Sequence, residues 1–78
     1  MATKVCFFGA TAQLVGKNEI TVLTDGSTVS EIVQRLGIDF PELAKLNLKF
    51  AVNNEYASAD TEVGVADELA IFTAVSGG

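Results

Sequence analysis

The spacing of apolar and polar positions changes several times along the chain, and each change predicts an element. Lys4-Val5-Cys6-Phe7-Phe8-Gly9 is short, rich in β-branched and aromatic residues, and stops at a glycine. It predicts a first strand over 4–9. Residues 10–18 read as a loop or short helical turn, anchored by Leu14 and Val15. Glu19-Ile20-Thr21-Val22-Leu23-Thr24 alternates at period two and predicts a second strand, with Asp25-Gly26 as the turn after it. The period then lengthens. Thr28-Val29-Ser30-Glu31 has the spacing of a capping box, with Thr28 as N-cap, and Val29, Ile32, Val33 and Leu36 follow on one helical face. Gly37 stands where a left-handed C-terminal cap is expected. Pro41 to Leu46 predicts a short second helix opening on proline. Alternation returns at 48–53, with Leu48, Phe50 and Val52 to one side. Asn53-Asn54 predicts a tight turn, because asparagine tolerates positive φ. Glu55-Tyr56-Ala57 reads as a short edge strand, 58–67 as a turn-rich acidic stretch, and 68–75 as the last strand.

The order β-β-α-β-β(-β) predicts a small α+β layer structure, in which a capped helix crosses one face of a sheet. No repeat or linker divides the chain, so residues 1–78 are expected to form one domain. Side chains alternate faces along a strand. With the helix on one face, Val5 and Phe7, Leu48, Phe50 and Val52, and Leu69, Ile71 and Thr73 are expected beneath it. The opposite parity then carries Lys4, Cys6 and Phe8, Lys49 and Ala51, and Ala70, Phe72 and Ala74. Phe8 and Phe72 would share the uncovered face on strands that can lie side by side, with Tyr56 able to extend the patch. Exposed apolar clusters of this kind mark partner surfaces. The alternative is that Phe8 or Phe72 completes a minor core under a loop.

Composition narrows the chemistry. The chain is 49% hydrophobic, enough for one modest core, yet no apolar run approaches the roughly 20 residues that span a bilayer. Met1-Ala2-Thr3-Lys4-Val5 leads straight into a strand without a signal peptide's apolar stretch, so a cytoplasmic protein is expected. A net charge of −5 argues against nucleic-acid and anionic-membrane partners, whose affinity comes from basic patches. The chain has no histidine and one cysteine, Cys6, which excludes a histidine-based triad, an internal disulfide and a thiolate zinc site. No metal site is expected, and Cys6 reads as a small structural hydrophobe rather than a reactive thiol. The glycines at 9, 16, 26, 37 and 64 are scattered singly and form no phosphate-binding loop. A chain so poorly equipped for catalysis is expected to be a carrier, a modifier or a binding module.

The sequence ends Val75-Ser76-Gly77-Gly78. Glycine permits close backbone approach, so such a tail can enter a narrow tunnel and leaves the Gly78 carboxylate unhindered for activation. The tail is expected to be flexible, since nothing after Val75 can bury side-chain surface.

These residues, taken in order, resemble a known family. Phe7-Phe8-Gly9-Ala10, Leu14-Val15-Gly16, Phe50-Ala51-Val52-Asn53-Asn54 and Asp67-Glu68-Leu69-Ala70-Ile71-Phe72, ahead of the terminal Gly77-Gly78, are similar to the small, sulfur-carrier subunits of molybdopterin synthases. The resemblance covers essentially the whole chain. Thr73-Ala74 departs from it, standing where the family commonly carries two prolines. The resemblance implies a ubiquitin-like β-grasp fold, a mixed sheet packed on one main helix. It implies that a ubiquitin-activating-type adenylyltransferase uses ATP to adenylate Gly78, and that a sulfur donor system converts the acyl-adenylate to a thiocarboxylate. It further implies docking on a large synthase subunit, within a heterotetramer, with sulfur passing to cyclic pyranopterin monophosphate. Gly78 is then the reactive residue, Val75, Ser76 and Gly77 form the tail, and Phe8, Tyr56 and Phe72 match docking positions. The catalytic groups belong to the partners, and the carrier binds no cofactor of its own. Three alternatives stay open: a sulfur carrier for another pathway (thiamine thiazole, tRNA thiolation or cysteine synthesis), a ubiquitin-like protein modifier joined through Gly78, and a plain interaction domain with an incidental Gly-Gly end.

Overall fold

The computed structural model describes residues 2–24 and 26–73. The chain runs β1 (Ala2–Phe7), α1 (Ala10–Val15), β2 (Glu19–Leu23), β3 (Ser27–Thr28), α2 (Val29–Asp39), a 3-10 segment (Pro41–Lys45), β4 (Leu48–Val52), β5 (Glu55–Ala57), β6 (Glu62–Val63) and β7 (Glu68–Thr73). Five strands form one sheet in the order β2-β1-β7-β4-β5, and β3 pairs with β6 in a separate two-stranded ladder. Strands β1 and β7 run parallel at the centre, in the register Val5↔Leu69 and Phe7↔Ile71. The other pairs are antiparallel, so the sheet is mixed. This topology is the ubiquitin-like β-grasp.

Alternation along the strands decides where the core lies. Val5, Phe7, Leu69 and Ile71 are all essentially inaccessible and meet Val29, Ile32 and Leu36 from α2 and Leu43 from the 3-10 segment. Leu48, Phe50 and Val52 are half-buried against the same cluster. A wholly buried side chain of this size contributes about 1.5–3 kcal/mol by leaving water, so these few residues dominate the stability of so small a fold.

Helix α2 begins as its sequence predicts. The Glu31 N–H donates to Thr28 Oγ1 at 3.2 Å, and the Thr28 N–H donates to Glu31 Oε1 at 2.9 Å. The next two free amides find backbone partners outside the helix: Val29 N–H donates to the Thr61 carbonyl and Ser30 N–H to that of Ala59, both at 2.9 Å. The acidic 58–67 stretch is therefore more than a loop, since it satisfies the start of α2 and contributes β6.

The expected stop at Gly37 is not observed. Helix α2 passes through it to Asp39, and the Phe40 N–H closes the last turn on the Leu36 carbonyl at 2.8 Å. The physical stop is Pro41, whose ring drives Phe40 out of helical geometry, to φ −129° and ψ 69°. Phe40 and Leu36, one turn apart, both pack on the core, which outweighs the roughly 1 kcal/mol that a mid-helix glycine costs. The first strand also starts earlier than its apolar run suggests and ends at Phe7, because Gly9 takes φ 59° and opens α1.

Thr28→Ala is expected to lower unfolding free energy by about 1 kcal/mol in urea denaturation, with Thr28→Ser recovering most of the loss.

Candidate functional site

The face of the sheet away from α2 carries the even-numbered side chains of β1 and β7, and it is graded along the strands. At one end Lys4 stands between Glu19 and Glu68, with Nζ 3.7 Å and 3.4 Å from their carboxylates. Glu19 and then Glu68 hold the ammonium above its usual range. Half-exposed pairs of this kind add little stability, but they make that end of the face charged.

The middle row is low. Cys6 pairs with Ala70, Ala70 with Ala51, and Ala51 with Tyr56. Burial pushes the Cys6 thiol up, and the Glu68 and Glu19 charges add to the shift. A thiol shifted upward holds less thiolate at neutral pH, in line with a structural rather than a reactive cysteine.

The far end carries the aromatic side chains, with the exposed Lys49 beside them. Phe72 lies opposite Lys49 on β4, and Phe8 follows Phe7 at the end of β1, its N–H donating to the Ile71 carbonyl at 3.2 Å. Phe8 is 55% exposed and Phe72 half-buried. Tyr56, on the edge strand β5, reaches across the small Ala51 to Phe72, with ring centroids 6.1 Å apart and planes tilted by 55°. That geometry is a favourable aromatic pair, yet Tyr56 remains 86% exposed. Ala51, Asn54, Tyr56 and Phe72 line one shallow concavity, and Phe8 lines another with Cys6, Gly9 and Glu19. The structure thus joins Tyr56 to Phe72 directly, whereas Phe8 lies just past the last β1–β7 pair, Phe7↔Ile71, and lines a separate concavity.

Residues 75–78, where the reactive tail is expected, lie outside the described residues, as does Ala74. What is described is the strand that leads to them: β7 ends at Thr73, paired with Leu48, beside the aromatic cluster. Among the described residues no group of acidic, histidine or cysteine side chains could hold a metal ion.

The site has two supports that sequence reasoning did not assign. At the β4–β5 turn both Asn53 and Asn54 take positive φ, 52° and 72°, the two-residue turn whose twist suits a hairpin. The Asn53 amide donates to Asp67 Oδ1 at 2.9 Å and accepts from the Glu68 N–H at 3.0 Å, while Asp67 Oδ2 accepts from the Gly64 N–H at 2.8 Å. This fastens the β4–β5 hairpin, and so Tyr56, to the start of β7. The second support is Thr11, a wholly buried threonine at the start of α1 whose hydroxyl meets the Phe8 carbonyl, just past β1, and the Ile71 carbonyl of β7. A turn-like Asn-Asn and a lone threonine carry no signal of such long-range partners.

Hydrogen bonds from Asn53 and Gly64 hold the Asp67 carboxyl below the usual carboxylate range. A carboxyl depressed on folding stabilises above its unfolded pKa of about 3.9, and that contribution is lost as pH falls through the folded value. In urea denaturation at several pH values, the stability gap between the native chain and Asp67→Ala is expected to be full at pH 6 and to narrow below about pH 4.

Comparison with known proteins follows the same lines. Residues 5–78 match the ThiS family. The molybdopterin synthase sulfur carrier subunit of Caenorhabditis briggsae is 36% identical over 83 aligned positions, covering 100% of this chain and 99% of that protein. Its counterpart in Arabidopsis thaliana is 33% identical, covering 96% of this chain and 81% of that one. Among solved structures, a putative molybdopterin converting factor subunit 1 from Pyrococcus furiosus superposes with a TM-score of 0.84 at 23% identity, covering 96% and 99% of the two chains. Small archaeal modifier protein 1 of Haloferax volcanii superposes at 0.81 with 21% identity, covering 95% and 98%. At 0.69 and 18% identity, with both chains fully covered, so does a chain from the complex of subunits 1 and 2 of the Helicobacter pylori molybdopterin-converting factor. At these identities the solved structures establish the shared fold.

Proposed function

The chain belongs to the ThiS family and is homologous over its length to molybdopterin synthase sulfur carrier subunits, and from that premise we propose that it carries sulfur for a molybdopterin synthase as a thiocarboxylate on Gly78. The observation that carries this reading is the extent of the match, which runs over residues 5–78 in the family and over nearly the full length of the C. briggsae subunit.

The chemistry divides between tail and body. A carboxylate is a poor electrophile. A ubiquitin-activating-type adenylyltransferase with ATP solves this: a Gly78 oxygen attacks the α-phosphate, pyrophosphate leaves, and the acyl carbon gains AMP as a leaving group. Hydrosulfide attacking that carbon expels AMP and leaves the thiocarboxylate. A donor persulfide does the same through an acyl disulfide, which a thiol then cleaves. Neither step needs an acid, base or metal from this chain, in keeping with its lack of histidine. The body supplies docking. The Tyr56–Phe72 pair and Phe8 form the apolar anchor for a large synthase subunit, and the tail delivers sulfur into that subunit's active site at high effective concentration. The H. pylori complex of subunits 1 and 2 supports a two-subunit assembly. The acceptor is cyclic pyranopterin monophosphate, which takes two sulfurs from two loaded carriers. The carrier works in the cytoplasm and binds no cofactor itself.

A second reading, a protein modifier, draws on the fold shared with the H. volcanii small archaeal modifier protein. It predicts higher-mass conjugates on a blot against the chain, which a pure carrier does not form.

Intact mass spectrometry of the natively expressed chain, with and without a thiocarboxylate-reactive alkylating reagent, tests the proposal. A species with one oxygen replaced by sulfur, alkylated at Gly78 as well as Cys6, is expected. A chain that carries only carboxylate after incubation with adenylyltransferase, ATP and sulfide defeats it. Deleting Gly77-Gly78 is expected to abolish sulfur transfer entirely.

Phe72→Arg is expected to weaken binding to the large subunit by about 2 kcal/mol or more, the scale of an interface hot spot. Its melting temperature should stay near that of the native chain, because Phe72 lies outside the buried core.

A further inference from the structure

A positive charge stands inside the aromatic end of the outer face. Phe72 lies opposite Lys49 and Tyr56 opposite Ala51, so the tilted ring pair crosses β4 on the diagonal between Lys49 and Ala51. Cross-strand neighbours of this kind hold their Cβ atoms about 5 Å apart. Lys49 is exposed, and among the described residues the only ion pairs are those that Lys4 makes with Glu19 and Glu68. The carboxylates of the charged end are too distant to serve Lys49. Glu68 and Phe72 are the first and fifth residues of β7, about 13 Å apart at the rise of a strand, whereas charges at physiological ionic strength are screened beyond about 8 Å. The outer face therefore carries two local charges of opposite sign. One is net negative, where Lys4 sits between two carboxylates, and the other is positive, at Lys49.

A partner that seats on both rings covers Lys49 as well, because β4 runs between the strands that carry them. Taking an ammonium out of water is costly unless an anion meets it. An apolar residue in this place would let any greasy surface settle on the rings. The lysine does not: it penalises a purely apolar partner and spares one that brings an acid, which is how a charge confers specificity. We propose that Lys49 is the specificity-determining residue of this face, selecting a protein surface that sets a carboxylate beside an apolar seat for Tyr56 and Phe72. The partner is the large synthase subunit, and in naming it the inference rests on the sulfur-carrier reading. The aromatic pair supplies the adhesion, and the ammonium–carboxylate pair fixes which surface is accepted and in which register.

The test measures association and dissociation rates on the immobilised large subunit of the same organism, at low and at high salt. It compares the native chain with Lys49→Met, which keeps a stem and removes the charge, with Lys49→Glu, and with Lys49→Arg. Lys49 is exposed, so all three variants should melt near the native temperature. Losing one member of a pair closed off from water is read in the dissociation rate, whereas losing a rim charge is read in the association rate. Lys49→Met is expected to dissociate about tenfold faster at both salt concentrations, with association within about twofold of native. Lys49→Glu is expected to bind about a hundredfold more weakly, and Lys49→Arg to recover most of the native affinity. Native or tighter binding by Lys49→Met overturns the inference. So does a change confined to the association rate and abolished by salt, which marks a lysine whose head stays in water. A loss seen only on the adenylyltransferase, tested in the same way, assigns the charge to another partner and overturns it too. Phe72→Arg separates this inference from the reading beneath it. Binding lost in Phe72→Arg but kept in Lys49→Met and Lys49→Glu defeats the role of Lys49 alone, whereas a native chain that does not bind the large subunit at all defeats the sulfur-carrier reading and this inference with it.

Discussion

The fold hangs on the parallel pairing of β1 with β7. These two strands occupy the centre of the sheet, and Val5, Phe7, Leu69 and Ile71 fill the middle of the core from them. A parallel pair cannot be closed by a tight turn, so the whole chain between them is its crossover. That crossover must bring α2 onto the inner face and return in register. Two buried threonine hydroxyls mark the ends of the pair: Thr3, 3.4 Å from the Gly64 carbonyl, and Thr11 on Ile71. Among the described residues no buried side-chain nitrogen or oxygen lacks a partner. At these junctions threonine serves as a connector, joining segments about 60 residues apart with a single group.

Once one face of the sheet is committed to the core, the other is free for recognition, and its gradient is useful. The charged end, with Lys4 between two carboxylates, lies away from the exit of β7, and the aromatic end lies beside it. Tyr56 and Phe72 therefore lie at the same end of the face as Thr73, the last residue of β7. The small residues Cys6, Ala70 and Ala51 keep the face low between the two ends, and Ala51 lets a tyrosine on one strand reach a phenylalanine two strands away.

Much of this was legible in the sequence where the signal is local. The Thr28–Glu31 box and the Val29, Ile32, Leu36 stripe announce α2, and strand parity sends Phe7 and Ile71 inward while leaving Phe8 exposed. Local signals failed where a nonlocal term wins. Gly37 looks like a helix stop, but the packing of Phe40 one turn later carries the helix past it to Pro41. Ser27–Thr28 and Glu62–Val63 are two-residue strands with no periodicity to read, and they exist because each supplies the other's ladder. Asn53-Asn54 could be read as a turn, since positive φ is a local property. The grip of Asn53 on Asp67 and of Thr11 on Ile71 could not, since it depends on which distant backbone arrives alongside.

The central place of β7 has a kinetic consequence. In chain order it follows every other described element, yet it fills the slot between β1 and β4. Nonlocal pairing of this kind is slow, because the loop must close before any contact rewards it. A nascent chain that has not yet presented Glu68–Thr73 lacks the strand that joins β1–β2 to β4–β5, and with it the Leu69 and Ile71 side chains of the core that holds Ile32 and Leu36. Insertion of one six-residue strand then completes both ladders and the core at once. The folded body and its aromatic face therefore come into being together, and a chain cut short before that strand offers neither.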